Sequence, residues 1–140
     1  MRKVFTIALL WGLCFAPFHP VLAEETPSYS IAGFDDGEKV KSFVEHLRQL
    51  ATQDKREEIA ALIRFPLNII VAGHRIALRN RRDFLKHYDQ AFNAKVKEAL
   101  ARQDSSNLFA NWQGAMIGNG EIWLRPSPKS PFVQIIAINN

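Results

Sequence analysis

The chain has 140 residues, a formal net charge of +4 and one cysteine, Cys14. Residues 1–23 read as a secretory signal cleaved after Ala23: Arg2 and Lys3 form its positive region, residues 4–18 its apolar stretch, and Val21 and Ala23 the small residues before the cut. The remaining chain, about 120 residues, suffices for one compact domain but not two. Losing Arg2 and Lys3 leaves too little basic excess to argue for nucleic acid or a membrane surface from charge alone. Cys14 is lost as well, which excludes thiolate catalysis and thiolate metal sites and leaves the mature core to hold by packing without disulfides. The apolar stretch is too short, and too broken by Pro17 and Pro20, to span a bilayer. Leu13 before Cys14 is not the small residue of a lipoprotein signal, so no membrane anchor is expected. The expected location is periplasmic or secreted, with a signal over 1–23, a flexible polar lead-in over 24–34 and a single domain over 35–140.

Asp35 and Glu38 stand at capping-box spacing, with Asp35 as the expected N-cap. Val40, Phe43, Val44, Leu47 and Leu50 recur behind them at helical spacing, predicting an amphipathic helix over 36–51 with His46 and Arg48 on its polar side. Asp54 and Glu57 repeat the capping pattern for a second helix, which carries Ile59, Leu62 and Ile63 and is stopped by Pro66. Residues 67–79 predict a hairpin with Gly73-His74 at its turn, Val71 opposite Ile76 and Ile69 opposite Leu78. Asn80 and Asp83 open a third helix whose stripe is Phe84, Tyr88, Phe92, Val96 and Leu100; it either runs unbroken to Arg102 or kinks near Asn93.

The most informative stretch is 108–124. Asn119-Gly120 suits a two-residue type I′ turn, in which both central residues need positive φ. That turn sets Ile117 opposite Ile122, Met116 opposite Trp123 and Ala115 opposite Leu124, placing Ala115, Ile117, Ile122 and Leu124 on one face. A strand over 108–113 leads into this hairpin, and a last strand from Phe132 to Ile138, apolar throughout, suits a central or doubly covered position. Helices and strands are segregated, so the fold class is α+β, with N-terminal helices and a long helix packed on a curved antiparallel sheet.

In this element order the chain resembles the nuclear transport factor 2-like superfamily, over roughly residues 36–138. Phe65-Pro66-Leu67, the segment from Phe84 to Tyr88, Gln113-Gly114, and Gly118-Asn119-Gly120-Glu121-Ile122-Trp123 are similar to exported bacterial members of unassigned activity. The resemblance implies a cystatin-like cone in which a bent sheet wraps a long helix around an open-mouthed pocket. It also implies homodimer formation across the open sheet. It names no reaction, because members include isomerases, dehydratases, machine subunits and plain binding domains. Ketosteroid isomerase chemistry needs an aspartate base with a Tyr and a protonated Asp at the oxyanion. Tyr88 and Asp89 are neighbours on a helix, so their side chains diverge by about 100° and cannot serve one small substrate.

Asn111, Gln113 and Trp123, with Tyr88, are the expected ligand pocket, since ligand sites combine apolar walls with a few convergent polar groups. Asn111 and Gln113 point either into that pocket or out of it, depending on a bulge at Gly114. Glu121, beside a turn, is expected to be solvated. Asp83 and His87 share a helical face and with Tyr88 are the candidates for acid/base catalysis. A capping Asp83 with a wet His87 is the simpler account. Arg75, Arg79, Arg81, Arg82 and Lys86 form a basic cluster suited to an anionic partner. His46, His74 and His87 lack metal-ligand spacing, and no Gly-rich phosphate loop precedes a helix, so neither a metal nor a cofactor is expected. The sequence thus reads as an exported, non-enzymatic domain binding a small apolar ligand or a protein partner. The alternatives are a pocket acid/base enzyme of isomerase or dehydratase type, and an interaction or inhibitor protein docking through its arginines.

Overall fold

The computed structural model describes residues 28–140, so the signal over 1–23 and the start of the lead-in lie outside the described residues. The described chain is α+β. It runs through α1 (Gly37–Thr52), α2 (Arg56–Ala61), a hairpin β1 (Leu67–Val71) and β2 (His74–Leu78), α3 (Arg81–Lys86), α4 (Tyr88–Ala91) and α5 (Ala94–Arg102). A four-stranded meander follows, β3 (Phe109–Asn111), β4 (Gly114–Ile117), β5 (Ile122–Pro126) and β6 (Val133–Ile138). The strands form two antiparallel sheets, β1-β2 and β3-β4-β5-β6.

The β4–β5 register is the expected one, Ala115↔Leu124, Met116↔Trp123 and Ile117↔Ile122. The turn that produces it differs: Gly118 and Gly120 carry the positive φ values, 67° and 104°, rather than Asn119. Residues 108–117 are not one strand with a bulge. The chain folds back at Trp112-Gln113, setting Phe109 against Met116 and Asn111 against Gly114. Asn111 makes that turn itself, its Oδ1 accepting the Gln113 amide at 2.8 Å. Gly114 (φ 148°) is required after it, because a Cβ there would lie 2.4 Å from the Leu124 carbonyl oxygen. In β6 the pairing slips between Trp123 and Leu124, so Ile136 is skipped. Burial shifts phase at that bulge, from Val133 and Ile135 to Ile138.

The first hairpin turns at Ala72-Gly73, with φ values of 49° and 80°, not at Gly73-His74. Its pairs are Val71↔His74, Ile69↔Ile76 and Leu67↔Leu78. A register displaced by two residues keeps every side chain on its expected face, so Leu67, Ile69 and Leu78 are buried as the pattern requires.

Helix caps depart from the expected ones in two places. Asp36, not Asp35, caps α1 by accepting the Glu38 amide at 2.9 Å, while Asp35 reaches Lys39 at 3.8 Å. Asp54 does not cap α2; it takes φ 52° and bonds Arg56 instead. Helix α2 ends before Pro66 exerts its effect, because Leu62 and Arg64 exchange backbone hydrogen bonds with Ile135 of β6. The last strand is therefore neither central nor buried on both faces: β6 is the edge of the four-stranded sheet, bridged on its free side only at Ile135 among the described residues, with Gln134, Ile136 and Ala137 partly exposed.

The third helix is not one long rod. It breaks at His87 and again at Asn93, whose Oδ1 accepts the Val96 amide at 3.0 Å and restarts the helix as an N-cap. The stripe survives both breaks, since Phe84, Tyr88, Phe92, Val96 and Leu100 are each at most 1% exposed. They join Ile117, Ile122, Leu124 and Ile135 in a single core cluster. The lead-in is also folded from its second half onward. A short 3-10 helix over Tyr29–Ala32 buries Tyr29, Ala32 and Phe34, and the Tyr29 hydroxyl accepts the Leu108 amide at 3.0 Å.

Candidate functional site

Tyr88 sits in the core rather than on a cavity wall. Phe84 meets its ring edge-on and Phe92 stacks on it, both at 5.7 Å between centroids. The Arg56 guanidinium lies 4.4 Å from the ring centre and Lys97 Nζ 5.5 Å from it. Arg56 is held there by Asp54 at 3.0 Å and by a two-pronged contact with Asp89 at 3.1 Å. Those hydrogen bonds, from Asp54 first and then Asp89, raise the Arg56 pKa. Burial raises the Tyr88 pKa, helped by the nearby Asp54 and opposed by Arg56. The Tyr88 hydroxyl is buried and has no hydrogen-bond partner among the described residues, contrary to the ordinary expectation for a buried tyrosine.

Asp83 and His87 are not joined among the described hydrogen bonds. Asp83 Oδ2 accepts the Arg79 amide at 3.0 Å, while its own amide donates to Asn80 Oδ1 at the start of α3. His87 Nδ1 lies 3.1 Å from Gln90 Oε1. Asp83 therefore serves the helix terminus, and the pairing a general base needs is not formed.

Asn111 and Trp123 share the outer face of the four-stranded sheet, opposite the core. Gln113 lies at the adjoining exposed turn, and Tyr88 is on the other side among the helices. Strand alternation gives that outer face an apolar row, Phe109–Met116–Trp123–Ala137, and a polar row, Asn111–Gly114–Arg125–Gln134. Phe109 is 57% exposed, and Trp112 at the tip of the β3–β4 turn is 73% exposed. Beyond Ala137 a hollow of about 270 Å³ lies between Ile136 and Ile70 of the first hairpin, the latter 42% exposed, and Asn68, Arg75 and Asn139 give it a mixed, largely polar wall. Asn140 ties this seam: its side chain accepts the Ile70 amide at 2.9 Å and donates to the Ile70 carbonyl at 2.6 Å, as a neighbouring strand would.

The basic cluster divides. Arg75 borders the hollow beside Ile70, on the side of the outer sheet face. Arg81, Arg82 and Lys86 border a separate, shallow and open depression together with Leu85 and Glu57. Arg79 is exposed between the two groups. His46 and His74 are both exposed, and among the described residues no group of three His, Cys, Asp or Glu could hold a metal ion. Among the described residues no helix is long and apolar enough to cross a membrane.

Glu121 is not solvated. It is 9% exposed, and its Oε2 accepts the Asn119 amide at 2.6 Å, fixing the β4–β5 turn. Lys95 approaches its other oxygen at 3.9 Å. Arg48 likewise leaves the polar side of α1 to donate to the carbonyls of Leu100 and Gln103 at the end of α5. Sequence reasoning missed both, and missed Phe109 and Trp112; for the aromatics, the Asx signal at Asn111 was the clue to a turn that exposes them. Comparison of the chain with family models, with curated proteins and with solved structures returned no match.

Proposed function

We propose that this chain is an exported, non-enzymatic binding domain of the nuclear transport factor 2-like type, and that it docks a protein partner on the outer face of its four-stranded sheet. The observation that carries the reading is the apolar row Phe109–Met116–Trp123–Ala137, with Phe109 exposed and the other three partly so, beside exposed Trp112 at the adjoining turn. Aromatic residues, Met and Arg are the types enriched at protein interfaces, and a contiguous apolar strip on a sheet face calls for a cover. Arg125 and Gln134 supply a polar margin beside it. The small-ligand form of the reading has less support, because the stripe from Phe84 to Leu100 fills the space next to the sheet. The acid/base form also has less support, since Asp83 is engaged by Arg79 and the Tyr88 hydroxyl has no hydrogen-bond partner among the described residues.

Site-specific photo-crosslinking tests the proposal in cells exporting the full chain. A photoreactive phenylalanine analogue placed at Trp112 should yield one discrete adduct, and the same probe at Lys97 on the helix side should not. An adduct of twice the chain mass would identify the partner as a second copy. Equal labelling from both positions, or none from Trp112, would remove the sheet face as the docking surface.

A further inference from the structure

We propose that Asn119 is a site of spontaneous covalent modification, at which the side-chain amide is lost as ammonia and a carboxylate takes its place. This site is independent of the docking face. Asparagine is thermally labile where the next backbone nitrogen can reach its side-chain carbonyl carbon, and a following glycine leaves that approach unobstructed. Asn119-Gly120 is the one Asn-Gly step in the chain. Asn119 is exposed at the β4–β5 turn, and among the described residues neither its carboxamide nor the Gly120 amide takes part in a hydrogen bond. The other asparagines are held. Asn80 and Asn93 cap helices, Asn111 accepts the Gln113 amide, and Asn139 and Asn140 are tied to Gly120 and Ile70. Asn68 lies within the β1–β2 ladder, and the amide that follows Asn107 donates to the Tyr29 hydroxyl.

The step balances with water as its only co-reactant. The Gly120 nitrogen loses its proton and attacks Asn119 Cγ. An N–Cγ bond forms, the Cγ–Nδ2 bond breaks, and ammonia departs with that proton. Water then opens the succinimide ring. Cleavage at Cγ gives aspartate; cleavage at the main-chain carbonyl gives isoaspartate, in which the backbone runs through the former side chain. Either product sets a new carboxylate beside Glu121, the buried acid whose Oε2 accepts the Asn119 amide at 2.6 Å. Two carboxylates within one turn repel each other. Isoaspartate also lengthens the backbone and draws the Asn119 amide off Glu121. The same turn is anchored by the Gly118 amide, which donates to Gln103 Oε1 at the end of α5 at 2.8 Å, and by the Gly120 carbonyl, which accepts Asn139 Nδ2 at 2.6 Å. Modification therefore loosens the point where α5, the β4–β5 hairpin and the residues after β6 meet.

Ageing of the folded chain at mildly alkaline pH, followed by peptide mass mapping, tests this. Asn119 should convert before any other asparagine, in step with ammonia release. Conversion should quicken as pH rises, because the attacking nitrogen must lose its proton. An isoaspartyl methyltransferase should label the aged chain and not the fresh one. Asn119→Gln should block the mass change and the label. Its melting temperature should hold over the same period while that of the parent chain falls. The proposal is overturned by any of three results: no conversion at Asn119, alone or while other asparagines convert; conversion in the folded chain far slower than in the free peptide Ile-Gly-Asn-Gly-Glu-Ile; or a converted chain that melts with the unmodified one.

Discussion

The two faces of the four-stranded sheet are built from the same kinds of residue and do different things. On the inner face Ala115, Ile117, Ile122, Leu124 and Ile135 are fully buried against the helices. On the outer face Phe109, Met116, Trp123 and Ala137 alternate with them along the same strands yet remain partly open. Burial, not residue type, sets how much an apolar side chain contributes to stability. The inner face therefore holds the fold together, and the outer face is free to be used by something else.

Substitution on the inner face should be costly. Leu124→Ala is expected to lower stability by about 2–5 kcal/mol, read from urea unfolding, because it leaves a cavity in a closed core. A loss below about 1 kcal/mol would mean that the core beneath β5 is already loose.

Tyr88→Phe probes the same buried side with the opposite sign. An unpartnered buried hydroxyl costs about 1–3 kcal/mol, so its removal should leave stability unchanged or raise it by roughly 1 kcal/mol. The raised Tyr88 pKa adds a dependence on pH. Below about pH 10 the phenol is neutral in both folded and unfolded chains, and its contribution is fully present. As pH climbs through the folded-state pKa, the unfolded chain ionises first and stability falls. Unfolding midpoints at about pH 8 and about pH 10.5 should therefore differ more for the parent chain than for Tyr88→Phe. Identical pH slopes would show that Tyr88 is better solvated than its setting indicates.

At the seam between the two sheets the effect should be smaller and local. Asn140→Ala removes the paired bonds to Ile70 and a further one to the Gln90 carbonyl at 2.8 Å. About 1 kcal/mol is expected, with faster hydrogen exchange at the Ile70 amide. Unchanged exchange there would separate the hairpin from the rest of the outer face.

Much of this division could be read before any coordinates. The hydrophobic alternation around Gly118-Asn119-Gly120 fixed which residues of β4 and β5 point inward, and that held although a different turn closes the hairpin. In the first hairpin the turn moved, yet a two-residue slip preserves the faces, so Leu67, Ile69 and Leu78 stay buried. The helix stripe from Phe84 to Leu100 was legible from spacing alone. The break at His87 was not, because no Gly or Pro marks it. The fold-back at Trp112-Gln113 was marked only by the Asx signal at Asn111, because the glycine it requires comes after the turn. Missing that turn merged Asn111 and Gln113 with Tyr88 into one pocket, although the sheet itself lies between them.

Phe109→Asp puts the difference between the faces to the test in a single folded variant, with the photoreactive probe held at Trp112. Phe109 is 57% exposed, so the substitution should change unfolding stability by no more than about 0.5 kcal/mol. A charge in the middle of the apolar row should nevertheless abolish the crosslinked adduct. Undiminished adduct from a folded Phe109→Asp chain would contradict the assignment of the outer face as the docking surface.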